Sequence, residues 1–154
     1  MLFILWNLLL AASDGYRRRV PNALIVAAAC LQMLWASAAM LGAGWQYPPL
    51  WPGWGLSLAG FLVAVLFVPL WMRRAMGAGD VKAIAIYGLI LGPKMLLLVL
   101  AVGSLLAGVH AALYLLAARW WAPAPQWRRV PYVSYLAAGA LSVALMPLNS
   151  PWSS

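Results

Sequence analysis

Only two side chains in this chain of 154 residues end in a carboxylate, those of Asp14 and Asp80, and no glutamate is present. Each aspartate lies at the edge of a strongly apolar segment. An aspartate beside a membrane-spanning segment is costly to keep ionised, so it is rarely found there without a function. Two such residues, among ten lysines and arginines, therefore suggest a pair.

Two carboxylates within hydrogen-bonding distance cannot both ionise easily, so they share a proton and titrate together. One can then take a proton from water while the other, protonated, polarises a peptide carbonyl. This is the chemistry of aspartic proteases, which requires neither a metal nor an organic cofactor. A second alternative is a small ion-coupled transporter or channel subunit, in which the two acids bind a proton or a cation. A scaffold subunit, with two unrelated aspartates each neutralised by a neighbouring Arg or Lys, is the third alternative.

The other reactive side chains offer less chemistry. The single histidine, His110, lies near the middle of an apolar segment, at another depth from the aspartates, and is expected to pack between helices. Cys30 is the only cysteine, has no basic partner at its level and is expected to be an ordinary small apolar residue. Two aspartates and one distant histidine do not form a closed metal site, so no metal or other cofactor is predicted.

The elements that must position the aspartates are apolar. Hydrophobic residues make up 66% of the chain and charged residues 8%, whereas about a quarter of the residues in a soluble domain are charged. The apolar runs are continuous, and helices can satisfy their own backbone in lipid, so an all-α integral membrane protein is predicted. Its single domain, residues 1–154, would be a six-span bundle with segments at 1–13, 23–43, 56–72, 78–91, 95–118 and 133–148, the fourth and fifth separated by the helix stop Gly92-Pro93.

The basic residues predict the orientation of this bundle. Nine of the ten lie in or beside the first, third and fifth connections, and only Lys94 lies in an even-numbered one. The positive-inside rule then places the odd connections in the cytoplasm and both termini outside it. Asp14 closes the first segment and Asp80 opens the fourth, so antiparallel helices bring both acids to the cytoplasmic end. The net charge of +8 is attributed to topology and to anionic lipid, and binding to nucleic acid is not predicted.

Short motifs accompany both acids. Asp14 is followed by Arg19-Val20-Pro21-Asn22, and Asp80 lies in Gly77-Ala78-Gly79-Asp80-Val81-Lys82. With these motifs the chain resembles the type IV prepilin peptidases, membrane aspartic proteases of the GxGD class. Val130-Pro131-Tyr132, which opens the last segment, is a weaker similarity. The likeness extends in order and spacing over nearly the whole chain, and it implies that Asp14 and Asp80 are the catalytic pair.

The resemblance also implies a substrate and a location. In that family the leader of a prepilin-like membrane protein is cut after a glycine and before a hydrophobic helix, at the cytoplasmic face of the bacterial inner membrane. Longer members add paired Cys-x-x-C motifs and N-methyltransferase activity, which this chain lacks the cysteines and the length to carry. It is more similar to the short, peptidase-only form that serves tight-adherence (Flp-type) pili. The family's leaders are typically basic, and no spare acid attracts them, so cleavage is expected to depend on anionic phospholipid.

Five further positions are expected to support the site. Gly77 and Gly79 allow close approach of backbone and peptide substrate, and Pro21 and Asn22 shape the turn after the first acid. Lys82, two positions beyond Asp80, is expected to contact lipid head groups or the protein itself rather than to tune the acid directly.

Four more positions belong to the helices that carry the acids. Asn7 and Tyr87 each lie seven residues from an aspartate, on the same helical face. They would orient the pair or, as we favour, form an ordinary hydrogen bond between helices. Gly88 and Gly92 form one G-x-x-x-G packing motif.

Overall fold

The structure is a computed structural model that describes residues 2–17, 19–41, 53–120 and 130–145. Regular structure within these residues is entirely helical, which confirms the all-α prediction for this part of the chain. The helices are α1 (Leu2–Arg17), α2 (Asn22–Met40), α3 (Trp54–Val63), α4 (Val68–Met72), α5 (Ala78–Trp120) and α6 (Tyr132–Ala144). A 3₁₀ turn, Ala64–Phe67, joins α3 to α4.

The helices present apolar faces to their surroundings. Trp54–Met72 and Ala78–Trp120 are each long and apolar enough to cross a membrane. Large apolar side chains on several helices, including those of Leu5, Leu34 and Leu115, are more than half exposed. Soluble monomers rarely expose apolar surface on this scale, so these faces indicate contact with lipid.

α5 breaks at the position where the sequence predicts a helix stop. Gly92 has φ 74° and ψ 175°, a conformation that favours glycine, and the following Pro93 has no N–H to donate. After the break, residues 93–120 run antiparallel to α6, because Gly103 packs against Leu136 while Gly139 packs against Val99. The prediction that residues 78–91 and 95–118 are separate segments is therefore confirmed.

α3 and the first half of α5 cross at glycines. A Cβ on Gly60 would meet the carbonyl oxygen of Gly88, and a Cβ on Gly88 would meet that of Gly60. A Cβ on Gly60 would also lie 2.9 Å from the carbonyl carbon of Gly92. The predicted packing motif Gly88-x-x-x-Gly92 is thus confirmed, and Gly60 is its partner, since glycines allow helix backbones to approach closely.

The end of α1 differs from the prediction. The first segment was expected to stop at residue 13, before Asp14, but α1 continues to Arg17. The Asp14 carboxylate accepts a hydrogen bond from the backbone of α6, so it does not compete for the backbone hydrogen bonds of α1. Arg17 lies in the last turn of α1, where its positive charge interacts favourably with the helix dipole. α6 ends at Ala144; the predicted ends of the second and last segments, at residues 43 and 148, lie outside the described residues.

Candidate active site

Asp14 is buried where the last turn of α1 meets the start of α6, with 8% of its surface exposed. Its Oδ2 accepts a hydrogen bond from the backbone N–H of Ser134 at 3.1 Å and another from the Ser134 hydroxyl at 3.3 Å. Ser134 is the third residue of α6, and the N-cap residue Pro131 supplies no side-chain cap. Asp14 therefore caps α6 from a different helix, where the helix dipole favours negative charge.

Asp80 is the third residue of α5 and is half-buried. Its Oδ2 accepts a hydrogen bond from the backbone N–H of Gly77, the residue before the helix, at 3.1 Å. The N–H of Asp80 in turn donates to the Gly77 carbonyl at 3.1 Å. This reciprocal arrangement resembles a capping box, in which an acidic side chain reaches back to the start of its own helix.

The two acids lie at the ends of their helices: Asp14 is in the last turn of α1, and Asp80 is in the first turn of α5. The two helices are joined by a buried hydrogen bond, in which the Tyr87 hydroxyl donates to Asn7 Oδ1 at 2.7 Å. Asn7 and Tyr87 are fully buried, and each lies seven residues from an aspartate, or about 10 Å along its helix. The predicted hydrogen bond between helices is confirmed, and α1 and residues 78–91 run antiparallel.

The motifs around the two acids contact each other. Lys82 Nζ donates to Asn22 Oδ1 at 2.8 Å, so the expected structural contact of Lys82 is confirmed. A Cβ on Gly79 would lie 3.0 Å from Cγ2 of Val20, so a larger residue at position 79 would crowd the Val20 side chain. The start of α2 is thus held against the start of α5 by a hydrogen bond and by close packing.

Two other supporting residues have local roles in the backbone. The Pro21 carbonyl accepts the N–H of Leu24 at 3.1 Å, in the first turn of α2, so the expected turn after the first acid is present. A Cβ on Gly77 would lie 3.0 Å from Asp80 Oδ2. Gly77 therefore permits the close approach of the Asp80 carboxylate to the backbone.

The remaining reactive side chains lie away from the two acids. His110 Nδ1 is 2.6 Å from the Tyr135 hydroxyl, and the two rings meet at 61°, so the predicted packing role between helices is confirmed. Cys30 is exposed on α2. Within the described ranges, no three His, Cys, Asp or Glu side chains converge as metal ligands would.

Ser134 is the site residue that sequence reasoning missed. The similarity noted at Val130-Pro131-Tyr132 lies just before it. The only local signal was a serine in the first turn of an apolar segment that begins after a proline. That signal indicates the start of a helix, but it does not indicate which acid the serine contacts.

Fold and site together define a helical membrane protein with a pair of acids at one end. A model of the type IV leader peptidase family matches residues 1–112, which include both acids and both motifs. The chain belongs to this family and is therefore a peptidase. Neither the curated proteins nor the solved structures contain a match. α6 and Ser134 lie beyond the matched residues.

Proposed function

We propose that this protein is a prepilin leader peptidase, an aspartic endopeptidase that uses Asp14 and Asp80 to activate water. One observation carries the proposal: the only two acids of the chain, 66 positions apart, lie at the same end of two antiparallel helices that are joined by the bond between Asn7 and Tyr87. Each accepts a hydrogen bond from a backbone N–H at the start of a helix: Asp80 from Gly77, just before α5, and Asp14 from Ser134, in the first turn of α6. Such fixed geometry is what a catalytic pair requires.

The reaction balances with water alone. One carboxylate takes a proton from water, whose oxygen bonds to the scissile carbonyl carbon, while the protonated partner gives its proton to the carbonyl oxygen. The resulting diol returns a hydroxyl proton to the second carboxylate as the C–N bond breaks, and the first gives its proton to the departing nitrogen. Both carboxyl groups thereby regain their starting states.

The proposed location of the site is the cytoplasmic face of a six-span bundle whose termini lie outside the cytoplasm. The contacts between Lys82 and Asn22 and between Asp14 and Ser134 gather the starts of α2, α5 and α6 at the end of α1. Exposed basic residues lie at this same end: Arg17, Arg19, Arg73 and Arg74. The positive-inside rule therefore supports a cytoplasmic location in the bacterial inner membrane.

Water can reach an acid pair at this depth. Arg17, three residues beyond Asp14, is exposed at the end of α1, and basic residues of this kind flank membrane spans on their cytoplasmic side. Asp14 lies within one turn of the end of α1. The pair is therefore expected at the edge of the hydrocarbon core, where water for hydrolysis is available.

The proposed substrate is a prepilin-like membrane protein, most simply of the Flp type, cut after a glycine that precedes a hydrophobic helix. Anionic phospholipid is the proposed second partner. A groove of about 550 Å³ beside α1 is lined by Leu9, Ala12, Ser13, Tyr16, Arg17 and Leu24. Its apolar floor suits an acyl chain and Arg17 suits an anionic head group.

The test is co-expression with a membrane-anchored substrate whose basic leader ends in glycine before a hydrophobic helix. The wild-type chain should produce a leader-sized mobility shift, and Asp14→Asn and Asp80→Asn should each abolish it while remaining folded. Cys30→Ala, at an exposed position on α2, is the control and should process normally. Full processing by either Asp variant would refute the pair, and a proton or cation flux without processing would support the transporter alternative.

A further inference from the structure

Resting on the proposed function, we propose that Ser134 is a positioning residue that places the resting negative charge of the pair on Asp14 and keeps that side chain fixed when its protonation changes. Asp14 is then the first base toward water, and Asp80 is the acid. Ser134 lies outside the matched residues 1–112, so family membership assigns it no role.

The two carboxylates differ in the hydrogen-bond donors that they receive. Asp14 Oδ2 accepts from both the N–H and the hydroxyl of Ser134, whereas Asp80 accepts from one donor within the described residues, the Gly77 N–H. Hydrogen bonds to the ionised form favour ionisation. Of two acids that share one proton, the one with more donors therefore holds the charge.

The hydroxyl is the donor that can adapt. The Ser134 N–H is shared between Asp14 and the Pro131 carbonyl, each at 3.1 Å, and it can only donate. The Ser134 Oγ lies 3.3 Å from Asp14 Oδ2 and 3.1 Å from the Ala11 carbonyl. A hydroxyl has one proton and two lone pairs, so it can donate to either oxygen, and when it donates to the Ala11 carbonyl it can accept a hydrogen bond from a protonated Asp14.

Two hydrogen-bond arrangements follow. When Asp14 is ionised, the Ser134 hydroxyl donates to its carboxylate, since charged acceptors form the stronger bond. When Asp14 has taken a proton from water, its O–H donates to Ser134 Oγ, whose own proton turns to the Ala11 carbonyl. No heavy atom moves between the two arrangements, so Asp14 stays aligned through the reaction.

Few other charged or titratable groups lie near Asp14 to influence its protonation. α6 and α2, which pack against the end of α1, contain no Asp, Glu, Lys or Arg, and the titratable groups of α6 are Tyr132 and Tyr135. α5 contributes Asp80, together with Lys82, which bonds Asn22, and His110, which bonds Tyr135. On α1 itself, Tyr16 and Arg17 follow Asp14, and both are exposed.

The test measures cleavage of the same membrane-anchored substrate from about pH 4 to pH 9 by Ser134→Ala. Alanine keeps the backbone N–H and removes only the hydroxyl. The acidic limb of the pH–rate profile should move upward by about one pH unit, so that the rate on that limb falls about tenfold. Ser134→Thr should restore the wild-type profile, and Ser134→Cys, with a weaker donor, should lie between them.

Ser142→Ala is the matched control, since its hydroxyl on the same helix bonds the Gly139 carbonyl at 2.7 Å. It should leave the profile unshifted.

An unshifted profile in Ser134→Ala, or a uniform loss of rate that threonine does not rescue, would overturn the positioning role without contradicting the acid pair. Cleavage by Asp14→Asn would overturn the pair itself. Melting curves in detergent separate a misfolded Ser134→Ala from a shifted one, and Ser134→Cys then carries the test.

Discussion

The two carboxylates are both held by backbone at the start of a helix, but in different ways. Asp80 accepts a hydrogen bond from Gly77, three residues earlier, at the start of its own helix. Asp14 bonds a helix 120 positions away through Ser134. The first acid is therefore placed by local backbone geometry, and the second by the packing of α1 against α6.

Gly77 provides the sharpest prediction at the residue scale. A Cβ there would lie 3.0 Å from Asp80 Oδ2, so Gly77→Ala should displace the carboxylate and lower kcat at least tenfold, as small misplacements of catalytic groups do. Stability should change little, by about 1 kcal/mol or less. Cleavage rates and melting curves measure the two effects.

Gly108→Ala is the control for this substitution, because nothing lies within 4 Å of a Cβ at that position. It should retain activity and gain slightly in helix stability. Equal activity of the two variants would contradict the crowding of Asp80.

At the scale of elements, the bond between Asn7 and Tyr87 sets the register of α1 against α5. Tyr87→Phe leaves Asn7 Oδ1 buried without this donor, which should cost about 1–3 kcal/mol of unfolding free energy. The rate should also fall, because the acids lie two turns away on the same two helices. Unfolding in detergent and cleavage assays test both expectations.

Tyr132→Phe is the comparison for this variant, since the Tyr132 hydroxyl meets Ser104 in an exposed contact at 3.0 Å. The Ser104 hydroxyl can bond a carbonyl of its own helix when this partner is lost, so stability should change less. A greater loss in Tyr132→Phe than in Tyr87→Phe would contradict the importance of the buried bond.

The starts of α2 and α5 are joined by Lys82 and Asn22, and a double-mutant cycle measures this contact. Lys82→Met and Asn22→Ala should each lower kcat/KM, and the double variant should be no worse than the poorer single one. The coupling expected is about 1 kcal/mol, because both residues are exposed. Additive losses would indicate that the contact does not join the two motifs.

The whole molecule has ten basic residues and two acids, so a basic leader is repelled unless lipid intervenes. Cleavage of the basic-leader substrate should therefore be several times faster in liposomes with anionic phospholipid than in neutral ones. A substrate with a neutral leader should show little difference between them. Equal rates for the basic leader in both membranes would count against lipid mediation.

Composition and local pattern were sufficient for the helical class, the break at Gly92-Pro93 and the candidate acids. These features depend on residues that lie close in sequence: an apolar run, a glycine that takes positive φ, a proline without a donor. The resemblance carried by V-P-N and G-A-G-D-V-K was sufficient for the family, which the match over residues 1–112 confirms.

Other features were decided only by the tertiary structure. The bond of Asp14 to Ser134, the partner of Gly88 at Gly60, and the attachment of Lys82 to Asn22 join residues 28 to 120 positions apart. A helical face can be inferred from periodicity, but several helices offer similar apolar faces, and the free energy of packing selects among them. The sequence by itself therefore determined which two acids are the candidates for catalysis, and the packing of α6 on α1 decided how one of them is held.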